Sequence, residues 1–380
     1  VQHLRGSSIS LITDPILFAL PLRLGGLGLR GYSFVAPLAR QAMSSMADHE
    51  LVRRGLMEPE YVGLGVFAAL GSEEQRDAMS QIPRQGAMTD DMYKHMAEWM
   101  LLGAPDGVGR AMLEQSVPLG RRWLQVLPRY GRLSLQDYDM SVGLQLRTMC
   151  PPHADGCKAC AVIGARLSHS EHCEDRWYRG QLLRHDGVRD VLFDYVRRNE
   201  HVEVEREAPV MAGRQERSDL LVRGLHAGPG PETHYDLFIR EVTGSGEERN
   251  GREEVSLRPT GQPNEYMWDW QAPEKRAQQE QQVRAAVSAS SVASAASARK
   301  AMLWRQISRT LGERHREKER KYAFCPNMRP IGLSASGVQT KGFRDALHAF
   351  GRGLTEMDRM QVRERLSVEL LRWRARLYGH

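Results

Sequence analysis

Between Cys157 and Leu192 the chain carries CKACAVIGARLSHSEHCEDRWYRGQLLRHDGVRDVL, which joins metal-ligand chemistry to a helical pattern in one run. Cys157 and Cys160 are two residues apart, a spacing that turns both thiolates toward one ion, and His169 and Cys173 can close the tetrahedron from the far side. The expectation is a small zinc knuckle. Four of the five cysteines (Cys150, Cys157, Cys160, Cys173) fall within this short stretch, and their odd total argues against a disulfide framework. Cys150, His153 and His172 are substitute ligands within reach, so the register stays open. The competing expectation is of ordinary reduced cysteines in an intracellular chain, with His169 and His172 on an exposed loop.

Directly after the knuckle, Val188, Val191, Leu192 and Tyr195 recur at helical spacing, while Arg184, Arg189, Arg197 and Arg198 keep the helix basic. On this pattern Arg184, His185 and Arg189 are expected to face phosphates. Three strand-like segments come next: HVEVEREAPV, RSDLLVRG and, past a Gly and Pro-rich turn at 224–232, YDLFIREVTG. Asp219 enters the second and Asp236 the third, each beside an apolar run where an unpartnered carboxylate costs free energy unless a cation or a donor meets it. A helix followed by three strands, with acidic groups on adjacent strands, is an arrangement by which nucleases hold a divalent metal. Glu313 to Lys321 suits a charged helix. Its Lys318 and Lys321, three apart, lie toward one side and can approach those carboxylates.

The rest of the chain constrains function less. A length of 380 residues with 41% apolar content supports two or three domains, and a formal charge of +6 (53 Lys and Arg against 47 Asp and Glu) is informative only through its placement. No apolar run approaches the ~18 residues needed to span a bilayer and no secretory signal opens the chain, so an intracellular protein is expected. Val1 is not an initiator methionine, which suggests a processed product or part of something longer. The segment LPLRLGGLGLRGYSFVAPLAR predicts a tight glycine bend followed by a helix. It lacks the Lys and the Ser or Thr of a phosphate loop. Residues 51–149 alternate helical patterns with breakers at Gly71, Pro83, Gly103 and Pro118, a helical connector. Within it GRRWLQVLPRYGRL offers Arg121 and Arg122 as backbone contacts for nucleic acid. SGEERNGREEVSLRPTGQPNEY and AAVSASSVASAASARKA are poor in core formers, and an excursion is expected over about 244–300. Residues 343–380 predict terminal amphipathic helices, with Met360, Val362, Leu366, Leu370 and Leu371 as their apolar stripe.

The order of knuckle, RH-x-x-V-R-D-x-L helix, SDLLV, YDLFI, E-K-x-x-K-Y and SASG turn resembles the carboxy-terminal region of non-LTR retrotransposon proteins that carry a restriction-enzyme-like endonuclease. The phrase PLRLGGLGLR with its following helix is similar to the thumb-side segment of their reverse transcriptases. The paired aspartates of that polymerase are not in this sequence. The resemblance implies an α/β fold: a PD-(D/E)xK restriction-endonuclease-like core with a preceding zinc knuckle and an α-helical amino-terminal connector. Its segments would be a polymerase thumb-like stretch at 1–50, a connector at 51–149, the knuckle at 150–180, the endonuclease-like domain at 181–342 and terminal helices at 343–380. By motif match, Cys157, Cys160, His169 and Cys173 would hold structural Zn2+. Asp219 and Asp236 would hold catalytic Mg2+ or Mn2+, and Lys318 or Lys321 would take the catalytic lysine position. Ser218 stands where the family has proline. The implied activity is metal-dependent nicking of target DNA in a retroelement-derived protein, in the nucleus. The alternative is an inactive descendant that binds RNA or helps assemble a large ribonucleoprotein, in the nucleus or the mitochondrion.

Overall fold

The computed structural model describes residues 19–29, 54–55, 85–104, 106–126, 131–149, 174–225, 232–242 and 289–379. The four knuckle positions and their substitutes fall outside these residues, as do most of the thumb-like segment and residues 243–288 of the expected excursion. Helices α1 (Gln85–Gly103), α2 (Asp106–Ser116), α3 (Pro118–Arg122) and α4 (Asp137–Arg147) form the connector. Gly103 closes α1, and Pro118 opens α3 at the first-turn position where its missing N–H costs nothing.

Helix α5 (Glu174–Val196) then leads into β1 (Glu203–Arg206), β2 (Leu220–Arg223) and β3 (Thr233–Arg240). The long helix α6 (Ala289–Lys321) carries the chain to β4 (Met328–Ser334), and α7 (Lys341–Phe350) and α8 (Glu356–Gly379) close the fold. The sheet order is β1-β2-β3-β4. β1, β2 and β3 are a meander of antiparallel pairs, and β4 lies parallel to β3. A parallel neighbour demands a crossover, which α6 supplies. Ala289–Lys300, expected within the excursion, instead belongs to this 33-residue helix. Its Ala and Ser content tolerates helix, and Ala296 is packed inside at 1% exposure.

The sheet is covered on both faces. Leu220 and Val222, Tyr235 and Leu237, and Ile331 and Leu333 pack with Val188, Val191, Leu192 and Tyr195 of α5, with Phe343 and Phe350 of α7, and with Val362, Leu366 and Leu370 of α8. On the opposite face Phe238 meets Leu303, Ile307 and Leu311 of α6, joined by Leu101 of α1 and Leu113 of α2. Because side chains alternate along a strand, Asp236 projects with Phe238 toward α6 rather than with Tyr235 and Leu237 toward α5. Helix α5 lies very close to α8: a Cβ on Gly187 would stand 2.3 Å from the indole nitrogen of Trp373.

The connector packs into the rest of the fold. Leu146 and Met149 share a core with Ala375 and Tyr378 of α8. Arg147, 1% exposed, donates from Nε to the Gly26 carbonyl (2.8 Å), from Nη1 to Gln115 (2.9 Å) and from Nη2 to Leu22 (2.8 Å). This guanidinium pins the Leu22–Leu24 turn to the helices. The turn ends at Gly25 with φ 91°, and a Cβ on Gly26 would fall 2.1 Å from the Leu20 carbonyl, so the paired glycines are needed here. Among the described residues no helix is long and apolar enough to cross a membrane.

Candidate active site

Asp219 stands at the entrance to β2, where the ladder is irregular. Leu220 pairs with Tyr235, yet the Asp219 amide also donates to the Tyr235 carbonyl at 2.9 Å. Two residues of one strand thus stand against one of the next, a β-bulge, which re-aims the side chain it carries. The Asp219 carboxylate caps the sheet just before β2 begins: its Oδ2 accepts from the Leu237 amide at 2.5 Å. Leu237 is the residue after Asp236, so one peptide links the two acidic residues. The same Asp219 oxygen lies 3.2 Å from Nε2 of His185, and that nitrogen also bonds the Leu237 carbonyl at 3.1 Å. Both Nε2 neighbours are acceptors, so this nitrogen carries the proton. Nδ1 of the ring lies 3.4 Å from Asp186. Burial works against the imidazolium, but the bond to Asp219 and its charge, helped by Asp186 and the Leu237 carbonyl, raise the His185 pKa above its ordinary value.

Asp236 is 4% exposed on the α6 side of β3. The ammonium of Lys318 lies 2.8 Å from its Oδ2, and the Tyr322 hydroxyl donates to its Oδ1 at 3.2 Å. Burial raises the Asp236 pKa. Lys318 opposes that rise, and the neighbouring Asp219 charge adds to it. Tyr322 is pushed up as well, by burial and then by the charge of Asp236. Asp219, Asp236, Lys318, Tyr322 and His185 therefore form one cluster, drawn from β2, β3, α6 with the turn after it, and α5.

The cluster takes one lysine of the expected two. Ile307, Leu311 and Lys318 succeed one another on the inward face of α6, continued by Tyr322 in the turn after it, so Lys318 inherits the buried stripe. Lys321 is exposed, with its ammonium 4.8 Å from the centre of the Tyr322 ring.

The arginines expected to face phosphates are placed differently. Arg184 is 2% exposed, four residues before Val188 on the inward face of α5, and is not a surface group. Arg189 is neutralised by Glu207 (2.7 Å), Asp186 (3.2 Å) and Asp190 (3.6 Å). His185 is taken up by Asp219. On α3, Arg122 pairs with Glu364 of α8 at 3.2 Å, and Arg121 lies half-buried, near enough to the buried Arg147 for the two charges to repel.

Two features escaped sequence reasoning. Tyr322 was given no role beyond closing the E-K-x-x-K-Y phrase, although its place four residues after Lys318 signals a shared face. The other is a ridge on the solvent side of α6: Arg305, Arg309, Arg316 and Arg320, spaced four, seven and four apart, are all exposed. Arg309 meets Glu313 at 3.0 Å, whereas among the described residues Arg305 and Arg320 reach only carbonyls of their own helix.

The chemistry of the cluster suits a hard divalent cation in one limited sense. Among the described residues no group of three or more His, Cys, Asp or Glu side chains is arranged to hold a metal ion. Two neighbouring carboxylates still match the way Mg2+ is commonly bound, by one or two protein carboxylates with water and substrate phosphate completing the shell. No protein-family model and no curated protein matches this chain, so the cluster has to be judged on its own geometry.

Proposed function

We propose that this chain is a metal-dependent endonuclease module, derived from a retroelement protein, that nicks target DNA. The observation that carries this reading is the Asp219 carboxylate held on the Leu237 amide, one residue along the chain from Asp236, where its charge raises the Asp236 pKa, with the Lys318 ammonium 2.8 Å from Asp236. The helix–strand–strand–strand order, with Asp219 at the entrance to β2 and Asp236 on the adjacent β3, supports it. Asp219 and Asp236 would hold Mg2+ or Mn2+, which when bound polarises a phosphate oxygen and eases ionisation of a water. Asp219 has one oxygen committed to the Leu237 amide, and its other oxygen has no hydrogen-bond partner among the described residues. Tyr322 and Lys318 fix the orientation of Asp236, and Lys318 is a cation on hand to offset negative charge developing on the phosphate. A structural Zn2+ at Cys157, Cys160, His169 and Cys173 belongs to the same proposal and rests on sequence spacing.

A second reading is a catalytically silent descendant that binds RNA or helps assemble a ribonucleoprotein. It is favoured by the closed state of the cluster, in which Lys318 already neutralises Asp236. One comparison separates the two. Nicking of double-stranded DNA is measured with Mg2+, with Mn2+ and with chelator, for the intact protein and for Asp219→Asn. The nuclease reading expects cleavage only with metal, and a loss in Asp219→Asn of at least about a hundredfold, with DNA binding retained. Equal cleavage by both proteins would remove Asp219 from the mechanism. No metal-dependent cleavage by the intact protein would leave the binding reading.

A further inference from the structure

We infer that His185 is a positioning residue for the carboxylate of Asp219 and not a phosphate contact; this rests on the nuclease reading and adds a residue to its machinery. Leu237 points its amide and its carbonyl toward β2 at the place where β2 gives way to the bulge, so neither group has a strand partner. The amide is met by Asp219 Oδ2 at 2.5 Å, and the carbonyl by His185 Nε2 at 3.1 Å. The third side of the triangle is the 3.2 Å contact between that same nitrogen and that same Oδ2.

Each member of this ring fixes the other two. Oδ2 of Asp219 accepts from both an amide and the imidazole, which stops rotation about the Cβ–Cγ bond and turns Oδ1, without a hydrogen-bond partner among the described residues, toward the cation. The imidazole is set by α5, whose neighbouring residues Val188, Val191 and Leu192 are buried in the sheet core. Its ring is one-quarter exposed and both nitrogens are committed, Nδ1 toward Asp186, so no N–H is left over for a phosphate. Groups that orient a metal-binding carboxylate typically change metal affinity or activity by ~10–100-fold when removed.

The test uses the full chain and Mn2+ alone as probe, with free Mn2+ monitored by electron paramagnetic resonance, alongside DNA binding measured in chelator. Four variants are compared with the parent: Asp219→Asn, His185→Ala, His185→Gln and His185→Asn. A Gln amide nitrogen falls near the position of imidazole Nε2 and can donate to Oδ2, whereas an Asn amide falls near Nδ1 and cannot. Expected are loss of the site in Asp219→Asn, Mn2+ affinity weakened ~10–100-fold in His185→Ala and His185→Asn, and recovery to within about fivefold in His185→Gln. DNA binding without metal should stay within about twofold throughout. If His185→Ala does not fold, the Gln and Asn pair still decides, because the two amides differ only in reach. Equal Mn2+ affinity in Gln and Asn variants would overturn the positioning role, as would a fall in metal-free DNA binding on losing His185. If the parent binds no Mn2+, or Asp219→Asn leaves binding unchanged, the nuclease reading itself fails and the inference fails with it.

Discussion

Helices α5 and α6 are both arginine-bearing, and the fold treats them in opposite ways. On α5, Arg184 is interior and Arg189 is surrounded by Asp186, Asp190 and Glu207. On α6, Arg305, Arg316 and Arg320 are exposed and make no ion pair among the described residues. Charge that is already neutralised has no counterions to release, so it adds little to the affinity of a polyanion, whereas an open arginine adds its full share. Under the proposed nuclease reading, the phosphate-facing role expected of α5 would fall to α6, the helix that also delivers Lys318 to Asp236.

The largest expected effect concerns the interior arginine. Arg184 is held in the interior by interactions of its own, and removing one member of a buried charged contact typically costs ~3 kcal/mol or more. Arg184→Met should lower the stability of the intact chain by about 3 kcal/mol in denaturant unfolding. The comparison breaks if Arg184→Met keeps parental stability and loses DNA affinity, because Arg184 would then be acting at the surface.

How much of this contrast was legible depends on what is being read. The three strands of the meander came from alternation in HVEVE and from the short apolar runs LLV and LFI, and the need of Asp219 and Asp236 for a partner came from the apolar residues beside them. Period alone also held the position of Arg184: residues 184, 188, 191 and 195 share one face of a helix, so an arginine at 184 falls on the buried stripe. The type of the side chain hid that, since arginine usually marks a solvated face. Lys318 and Lys321 posed the same problem, and the stripe through Ile307 and Leu311 resolves it in favour of Lys318. No local pattern held the bulge at Asp219 or the His185 triangle, because both depend on β2 beginning opposite Tyr235, two residues short of Leu237, a fact of pairing between separate segments of the chain. The extent of α6 was obscured by a composition that suits both helix and coil.

A middle-sized effect tests the ridge. Replacing Arg316 and Arg320 together by Gln removes two exposed charges one turn apart on α6. Nucleic-acid affinity should fall roughly tenfold near physiological salt, and the slope of log K against log salt should drop by about 2, because each lost phosphate contact removes about 0.9. Thermal stability should be unchanged, since neither guanidinium holds another element. The double variant Arg121→Gln, Arg122→Gln is the control: Arg122 is bonded to Glu364, so its loss should cost some stability while leaving the salt slope nearly intact. If the α3 pair lowers the slope and the α6 pair does not, the interface lies along the connector.

The smallest expected effect sharpens the contrast most, because it changes one arginine from the α5 condition to the α6 condition without touching it. Arg309 is 80% exposed by side chain but is met by Glu313 at 3.0 Å, one turn along the helix. Glu313→Gln deletes that partner. An exposed pair of this spacing contributes only ~0.3–0.5 kcal/mol, so the folded state should lose no more than that. Arg309 then joins Arg305, Arg316 and Arg320 as an unneutralised group, and a repelling carboxylate leaves the ridge. Affinity for nucleic acid should rise by about twofold to fivefold at low salt, the gain shrinking as salt increases, because only the screened electrostatic part has changed. Measured salt titrations of parent and variant check this directly. Curves that coincide at every salt concentration would mean that the nucleic acid does not lie along this face of α6. Open charge would then be a property of the ridge without being its function.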